Sequence, residues 1–277
     1  VSLSYHSSQG KLRCGRCGFS AKATMICPHC NSTSIRYFGT GTQRIEKEVA
    51  DVYPTARILR YDRDTVAKRG SHEVFFAAFA EGKANVLIGT QMVTKGLDVA
   101  NVTLVGVVTA DTGLNLPDFR SAEHTFQLLT QVAGRAGRHH LAGKVIIQTH
   151  LPDHYVIQAA ARHDYLTFYK QEIANRFELG YPPFNQLINL VFSGTDEKNI
   201  QKCTDDIFRF LEKRLPGAVL GPAPSAIARL RGEWRYQIMI KGKDMAGMRK
   251  ALTETFAKAV IPQDIRVAVD VDPMSLL

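Results

Sequence analysis

The sequence has no long uninterrupted apolar run, and its first residues contain no apolar segment of the kind found in secretion signals. A membrane-spanning helix needs about 18 consecutive apolar residues, and a signal peptide needs an apolar core behind a basic start. The sequence therefore predicts a soluble, cytoplasmic chain. It begins at Val1 without an initiator Met, so we expect a fragment or a trimmed product.

The sequence also lacks a phosphate-binding loop of the form G-x-x-x-x-G-K-[ST]. The nearest candidate, Gly39–Arg44, has no lysine at the required place. That lysine reaches the β- and γ-phosphates of a bound nucleotide in such loops. The sequence therefore excludes a P-loop nucleotide hydrolase that works on its own.

Acidic residues are fewer than basic ones, with 26 Asp and Glu against 35 Lys and Arg, and the net charge is +9. A basic excess favours polyanionic partners, because Lys and Arg placed on phosphates release condensed counterions. It is also compatible with a basic protein that binds no nucleic acid. The apolar share of 45% and the charged share of 22% are typical of globular domains, and the length suits two of them.

Cysteine is scarce, and four of the five cysteines lie within the first 30 residues. These four form the pattern C-x2-C-x9-C-x2-C, which suits a closed, structural Zn²⁺ site with tetrahedral thiolate ligands: Cys14, Cys17, Cys27 and Cys30. Clustered cysteines of this kind also indicate a reducing compartment. We therefore predict a zinc-binding module over residues 1–33 and a buried, apolar environment for the distant Cys203.

Residues 34–153 predict an α/β domain. Nearly all-apolar runs alternate there with segments of helical periodicity, which is typical of β-α-β units on a parallel sheet covered on both faces. The expected strands are 35–38, 57–61, 86–89, 102–108 and 145–148, and the expected helices are 43–52, 72–80 and 122–132.

Residues 154–277 predict a separate α+β domain with antiparallel strands and helices on one face. A long helix is expected over 154–179, because glycine and paired prolines at 180–183 end it. Beyond it the expected strands are 187–192, 226–230, 236–240 and 265–271, and the expected helices are 199–215 and 245–260.

A candidate ligand-binding loop follows the strand that ends at Gly89 and Thr90, and it contains Gly96 and Asp98. Open α/β sheets bind ligands at the carboxyl ends of their strands. Glycine allows a close approach of the backbone to phosphate, and a carboxylate can bind a ribose hydroxyl. An ordinary β-α turn would explain the same residues.

A second candidate site is the stretch Gln127–Arg138, in which Arg135 and Arg138 are three residues apart. Residues at this spacing share one face of a helix, and paired guanidinium groups can stabilise charge on a transferred phosphoryl group. The alternative is that both cations complement the dipole of a helix carboxyl terminus.

In the last domain, Arg231, Trp234 and Arg235 interleave arginine with an aromatic residue. Such a composition suits stacking on bases and pairing with phosphates. The alternative is a strand whose aromatic residues lie in the core while its arginines are solvated.

The candidate loop after Gly89 and the stretch Gln127–Arg138 resemble motifs V and VI of superfamily 2 helicases. Motif V is matched by Thr90, Gly96 and Asp98, and motif VI by Gln131, Gly134, Arg135, Gly137 and Arg138. Further stretches resemble the primosomal replication-restart helicases within that superfamily: 36–43, 109–120, 123, 127–138 and 179–184. This resemblance covers essentially the whole chain, including the zinc module and the last domain.

The resemblance implies the second RecA-like lobe of a 3′–5′ DNA helicase that assembles primosomes at abandoned replication forks. It implies that Arg135 and Arg138 reach the ATP γ-phosphate, that Gly96, Asp98 and Gln131 line the nucleotide cleft, and that Thr90 and Lys95 lie towards single-stranded DNA. ATP and Mg²⁺ would then bind only together with the missing first lobe. The resemblance also implies eight zinc-binding cysteines for two zinc ions, so the four seen here would serve one or both.

The resemblance further implies a bacterial, nucleoid-associated protein. Its partners would be branched and single-stranded DNA, single-stranded DNA-binding protein, other primosome proteins and the loader of the replicative helicase. Two alternatives stay open. One is a different superfamily 2 helicase that acts on RNA or on recombination intermediates. The other, for the isolated chain, is a non-enzymatic module that docks DNA and proteins.

Overall fold

The computed structural model describes residues 4–6, 11–13, 20–24, 26, 30–33, 41–62, 65, 72–93, 102–134, 136 and 143–276. The chain divides into two units. An α/β unit contains residues 35–116 and 121–169, and a C-terminal unit contains residues 1–34, 117–120 and 170–277. Among the described residues, no helix is both long enough and apolar enough to cross a bilayer.

The α/β unit contains two parallel strand pairs. Strands β4 (Ile58–Tyr61) and β5 (Val86–Gly89) form one, and β6 (Leu104–Val107) and β7 (Lys144–Ile147) form the other. The helices of the unit are α1 (Thr42–Val52), α2 (His72–Ala80), α3 (Asp111–Leu114), α4 (Ser121–Ala133), α5 (Tyr155–Ala161) and the first part of α6 (Tyr165–Glu178). Parallel strands alternating with helices confirm the expected α/β class in the described part of this unit, whereas the strand expected at 35–38 lies outside the described residues.

The core of this unit forms where α4 meets α5 and α6. The rings of Phe126 and Phe168 stack with their centroids 4.1 Å apart and their planes 5° from parallel. Leu129 and Val156 are also buried in this cluster. Burial of side chains of this size stabilises the folded state by about 1.5–3 kcal/mol each, so this packing holds α4 in the core of the unit.

The expected single helix over 154–179 is wrong, because the structure contains two helices there. The chain turns at Arg162–Asp164, with His163 at a φ of 53°. Asp164 then begins α6, since its Oδ1 accepts a hydrogen bond of 3.0 Å from Thr167 N. A side-chain oxygen that satisfies a free amide in the first turn is what starts a helix.

The C-terminal unit has the order β-α-β-β-α-β: β8 (Gln186–Gly194), α7 (Glu197–Arg214), β9 (Val219–Leu230), β10 (Glu233–Gly242), α8 (Met245–Phe256) and β11 (Arg266–Val271). Its sheet is antiparallel with the order β11-β8-β10-β9, the split β-α-β arrangement. Residues of both helices share a buried core with one face of this sheet, including Leu190, Ile207, Ile238 and Leu252. The strands of this sheet are thus antiparallel, and both helices contribute side chains to the core on one of its faces.

Asp196, which follows β8, caps α7 by accepting hydrogen bonds from Lys198 N and Asn199 N.

The described part of residues 1–34 contains a separate antiparallel sheet of β1 (Ser4–His6), β2 (Lys11–Arg13) and β3 (Ser20–Lys22).

The two units divide the chain differently from the expected domains 1–33, 34–153 and 154–277. Residues up to Tyr169 belong to the α/β unit, because Val156, Ile157 and Phe168 pack into its core. The short segment 117–120 belongs to the C-terminal unit, although it lies between two helices of the α/β unit in sequence.

Candidate functional site

The carboxyl end of β5 is the first part of the candidate site. Gly89 is the last residue of this strand. A side chain would not fit at this position, since a Cβ there would lie 2.6 Å from Tyr61 O and 2.1 Å from Val93 Cγ2. Thr90 is exposed, and its carbonyl accepts a hydrogen bond of 2.9 Å from Val93 N. This turn fixes where the predicted motif V loop begins, whereas Lys95, Gly96 and Asp98 lie outside the described residues.

Asp62, which sequence reasoning missed, lies directly after the neighbouring strand β4. Its Oδ2 accepts a hydrogen bond of 2.7 Å from Thr42 Oγ1 and lies 2.9 Å from Arg60 Nε. Its Oδ1 accepts a hydrogen bond of 2.9 Å from Thr65 N. Burial would raise the pKa of the Asp62 carboxyl, but the hydrogen bonds from Thr42 and Thr65 and the Arg60 charge outweigh it and lower the pKa. A charged residue directly after an apolar strand was the available signal.

A second missed carboxylate, Asp111, follows β6. Its Oδ1 accepts a hydrogen bond of 2.7 Å from Thr149 Oγ1, and His150 N donates to both of its oxygens at 3.2 Å. Desolvation would raise the pKa of Asp111, but the donors Thr149 and His150 outweigh it and lower the pKa. Since Thr149 and His150 follow β7, this carboxylate ties together the segments that leave β6 and β7.

The predicted motif VI begins on α4. Gln131 is exposed on this helix, whereas the neighbouring Val132 is buried. The helical hydrogen bonding continues to Gly134, whose N–H donates to Thr130 O at 3.0 Å. The structure therefore describes Gln131 and Gly134 of the motif, whereas Arg135, Gly137 and Arg138 lie outside the described residues.

The predicted nucleic-acid residues of the C-terminal unit do not form one surface. Arg231 is exposed in the two-residue turn between β9 and β10, at a φ of 52°. Trp234 packs against the core of the unit, and the Arg229 guanidinium lies 5.0 Å from its ring centroid. Arg235 pairs with Ser193 across the sheet and points to the opposite face from Trp234, because successive strand residues alternate. The role of these three residues in DNA binding stays a prediction.

Of the four predicted zinc ligands, the structure describes only Cys30, which is exposed and free. Cys14, Cys17 and Cys27 lie outside the described residues. Within the described residues no group of three or more His, Cys, Asp or Glu side chains could hold a metal ion, so the zinc site stays a prediction. Cys203 is buried, as expected.

Segment 117–120 contributes an aromatic contact that sequence reasoning did not find. Phe119 stacks on Tyr181, with ring centroids 5.5 Å apart and planes 11° from parallel. The Arg176 guanidinium lies 5.5 Å from the Phe119 centroid, and Lys241 Nζ lies 4.8 Å from the Tyr181 centroid. Two cations thus accompany a pair of stacked rings, an arrangement that the negative faces of aromatic rings favour.

Two family models match the chain. The primosomal protein N C-terminal domain matches residues 177–274, and the helicase conserved C-terminal domain matches residues 24–140. The solved structure "De novo designed protein Foldit4" covers 32% of this chain and 97% of its own, at 12% identity and a TM-score of 0.27, which is too low to support an argument.

Similar sequences match over nearly the whole chain. The replication restart protein PriA of Bacillus subtilis is 45% identical over 100% of this chain and 35% of its own length. The proteins of the same name from Synechocystis and Chlamydia pneumoniae are 43% and 39% identical, over 34% and 37% of their lengths. The chain thus spans between 34% and 37% of these curated relatives. Together with the two domain matches, this similarity shows that the chain belongs to the PriA family and corresponds to its C-terminal portion.

Proposed function

We propose that this chain is the C-terminal part of an ATP-dependent 3′–5′ DNA helicase that recognises stalled or abandoned replication forks and restarts replication through primosome assembly. The observation that carries the proposal is the position of the Gln131–Arg138 sequence, which begins on a helix packed into the core of a parallel α/β unit. The similarity to proteins named replication restart protein over the whole chain supports the same function.

In this proposal the α/β unit is the second RecA-like lobe of the motor. Arg135 and Arg138 stabilise the charge that develops on the transferred γ-phosphoryl group, and Gly96, Asp98 and Gln131 line the nucleotide cleft. The burial of Phe126 and Leu129 supports this role, because it holds α4 in the core of the unit. A catalytic arginine is effective only when its guanidinium group is kept in the geometry that the reaction requires.

The phosphate cradle and the Mg²⁺ site belong to a first lobe that this sequence does not contain, since no P-loop occurs in it. ATP hydrolysis therefore requires that lobe, and the isolated chain is inactive. Alone, the chain acts as a module that docks DNA and proteins.

DNA binding is assigned to Thr90 and Lys95 in the motor unit and to Arg231, Trp234 and Arg235 in the C-terminal unit. The net charge of +9 and the exposure of Thr90 and Arg231 support this assignment. Stacking of a base on Trp234 requires Arg229 to leave the indole ring, so we expect the arginines to contribute more than Trp234.

Two further parts of the proposal rest on the sequence. Zn²⁺ bound by Cys14, Cys17, Cys27 and Cys30 stabilises residues 1–33. The partners are single-stranded DNA-binding protein, other primosome proteins and the loader of the replicative helicase, in the nucleoid region of a bacterial cytoplasm.

Fluorescence anisotropy of the chain with a replication fork, single-stranded DNA and duplex RNA, at two salt concentrations, tests the proposed substrate. We expect a preference for the fork of about tenfold, equivalent to about 1.4 kcal/mol. A preference for RNA would favour the alternative of an RNA-acting superfamily 2 helicase. Equal and steeply salt-dependent binding to all three would contradict fork recognition by this chain.

A further inference from the structure

An exposed apolar patch lies at the end of α6 in the C-terminal unit. Phe177 is 69% exposed and Leu179 is 59% exposed, and Pro183 is exposed as well. The half-buried Phe184 contacts Phe177 edge to face, with ring centroids 5.0 Å apart and planes at 78°, so the two ends of the segment come together. These four residues form the 177–184 patch. Within the described residues of the unit, neither buried cluster includes them.

Backbone contacts hold this segment in one conformation. Tyr181 N donates a hydrogen bond of 2.8 Å to Arg176 O, and Lys241 Nζ on β10 donates one of 2.7 Å to Leu179 O. Between them Gly180 has a φ of 61°, which glycine adopts without strain. A surface that is ordered before it binds loses less conformational entropy on binding. The 177–184 patch is therefore a preformed apolar surface, of the kind that marks an interaction site.

The charges near the patch disfavour a nucleic acid as its ligand. Arg176 Nε pairs with Glu172 Oε1 at 2.6 Å, and both side chains are largely buried. Lys241 Nζ already donates to a backbone carbonyl. Glu178, the last residue of α6, is exposed, and its carboxylate repels phosphate. Single-stranded nucleic acid needs cations along its backbone as well as aromatic rings, so the patch suits an apolar protein surface better.

The small size of the patch favours a protein surface that is tethered to it. A stable complex between separate proteins buries about 800 Å² on each partner, whereas this patch consists of four residues. A tethered surface needs less area, because its effective concentration reaches about the millimolar range. Such a surface is available in the family, since this chain spans only 34–37% of the length of the relatives described above.

We propose that the 177–184 patch is an intramolecular docking surface. Its occupant is an apolar surface in the part of the longer protein that lies outside these 277 residues. Phe177 and Leu179 supply most of the contact, because both are more than half exposed. The inference rests on the proposed function only in taking this chain as part of a longer helicase, and it involves neither the nucleotide nor DNA.

Thiol labelling of Glu178→Cys tests the proposal, because this change lies beside Phe177 and leaves the patch intact. Mass spectrometry of the labelled peptide gives its rate in the 277-residue chain and in the longer protein. A contact that is closed for about nine-tenths of the time slows labelling about tenfold in the longer protein. Lys198→Cys, exposed near the start of α7, is the control and should react equally fast in both. Equal rates for Glu178→Cys in the two proteins would overturn the proposal.

A second replacement at Phe177 shows whether the apolar contact causes the protection. In the longer protein with Glu178→Cys, we expect Phe177→Asp to restore fast labelling and Phe177→Leu, which stays apolar, to keep it slow. Slow labelling that persists with Phe177→Asp would overturn the proposal. Slow labelling of the 277-residue chain alone would also overturn it, because the patch would then be covered within this chain.

Other occupants give different results in the same assay. Slow labelling of the 277-residue chain only at high protein concentration would indicate a second copy, and slow labelling only with added single-stranded DNA would indicate nucleic acid. Either result would overturn the proposal. ATP turnover of the longer protein is measured alongside. Protection at position 178 without turnover would contradict the proposed function and leave the docking surface standing, whereas turnover without protection would do the reverse.

Discussion

Asp62 and Thr42 are joined by a hydrogen bond of 2.7 Å although 20 residues separate them. Thr42 is the first residue of α1, and Asp62 directly follows β4. The bond therefore ties the start of a helix to the carboxyl end of a strand, at the edge of the sheet where open α/β folds bind ligands. Arg60 and Thr65 complete the surroundings of the carboxylate.

Replacement of Asp62 by Asn should destabilise the α/β unit in a pH-dependent way. The folded-state pKa of Asp62 is lowered, so its carboxylate contributes stability above its unfolded pKa of about 4 and loses that contribution as the pH falls further. We expect Asp62→Asn to cost about 1–3 kcal/mol at pH 7 and the difference from the wild type to shrink below about pH 4. Urea unfolding across this pH range measures it. Asp51→Asn, on the exposed face of α1, is the control, and an equal cost for both variants would contradict this role of Asp62.

A side chain at Gly89 should distort the turn that carries Thr90. A Cβ at this position meets the Tyr61 carbonyl oxygen at 2.6 Å, and a backbone atom cannot move away cheaply. We expect Gly89→Ala to cost about 1–3 kcal/mol of unfolding free energy and to weaken binding of single-stranded DNA. Gly106→Ala in β6 is a matched control, because no atom lies within 4 Å of a Cβ there. Equal stability of the two variants would show that the turn adapts.

The zinc prediction can be tested by metal content and chelation. We expect purified chain to contain zinc, Cys14→Ser to lose it, and a chelator to increase hydrogen exchange within residues 1–33 while the α/β unit stays folded. Cys203→Ala should retain the metal, since Cys203 is buried in the core of the C-terminal unit. Absence of zinc, with a circular dichroism spectrum unchanged by chelator, would contradict the prediction.

The double replacement of Arg231 and Arg235 by Ala should weaken DNA binding and lower its dependence on salt. Each arginine removed from a phosphate should lower the slope of log K against log salt by about 1. Arg209→Ala with Arg249→Ala removes the same charge from the exposed surfaces of α7 and α8 and serves as the control. If the control pair lowers the slope as much, the effect is one of net charge and the assigned residues have no special role.

Sequence patterns predicted the regular elements well where apolar spacing alone decides them. The helix expected over 72–80 matches α2, and the helix expected over 122–132 differs from α4 by one residue at each end. The strand expected at 86–89 matches β5. Local periodicity suffices for these elements because each buries one continuous stripe or run of side chains.

The sequence could not predict features that depend on contacts between distant residues. The break at Arg162–Asp164 follows from a single capping carboxylate within an otherwise helical pattern. The contact of Asp118 with Ser275 joins residues 157 positions apart, and no local pattern marks it. The placement of Trp234 against the core, with Arg229 over its ring, likewise depends on which face of the sheet the helices cover.

DNA-stimulated ATP turnover of the longer protein, with and without Arg138, tests the central claim most directly. If this chain is the second motor lobe of a replication-restart helicase, Arg138→Ala should lower kcat by about 10³-fold or more, because it removes charge stabilisation during phosphoryl transfer, while binding of ATP and DNA changes little. Arg162→Ala, an exposed arginine of the same unit paired with Gln158, should leave kcat unchanged. Turnover of the Arg138→Ala protein within a few-fold of the wild type would contradict the account.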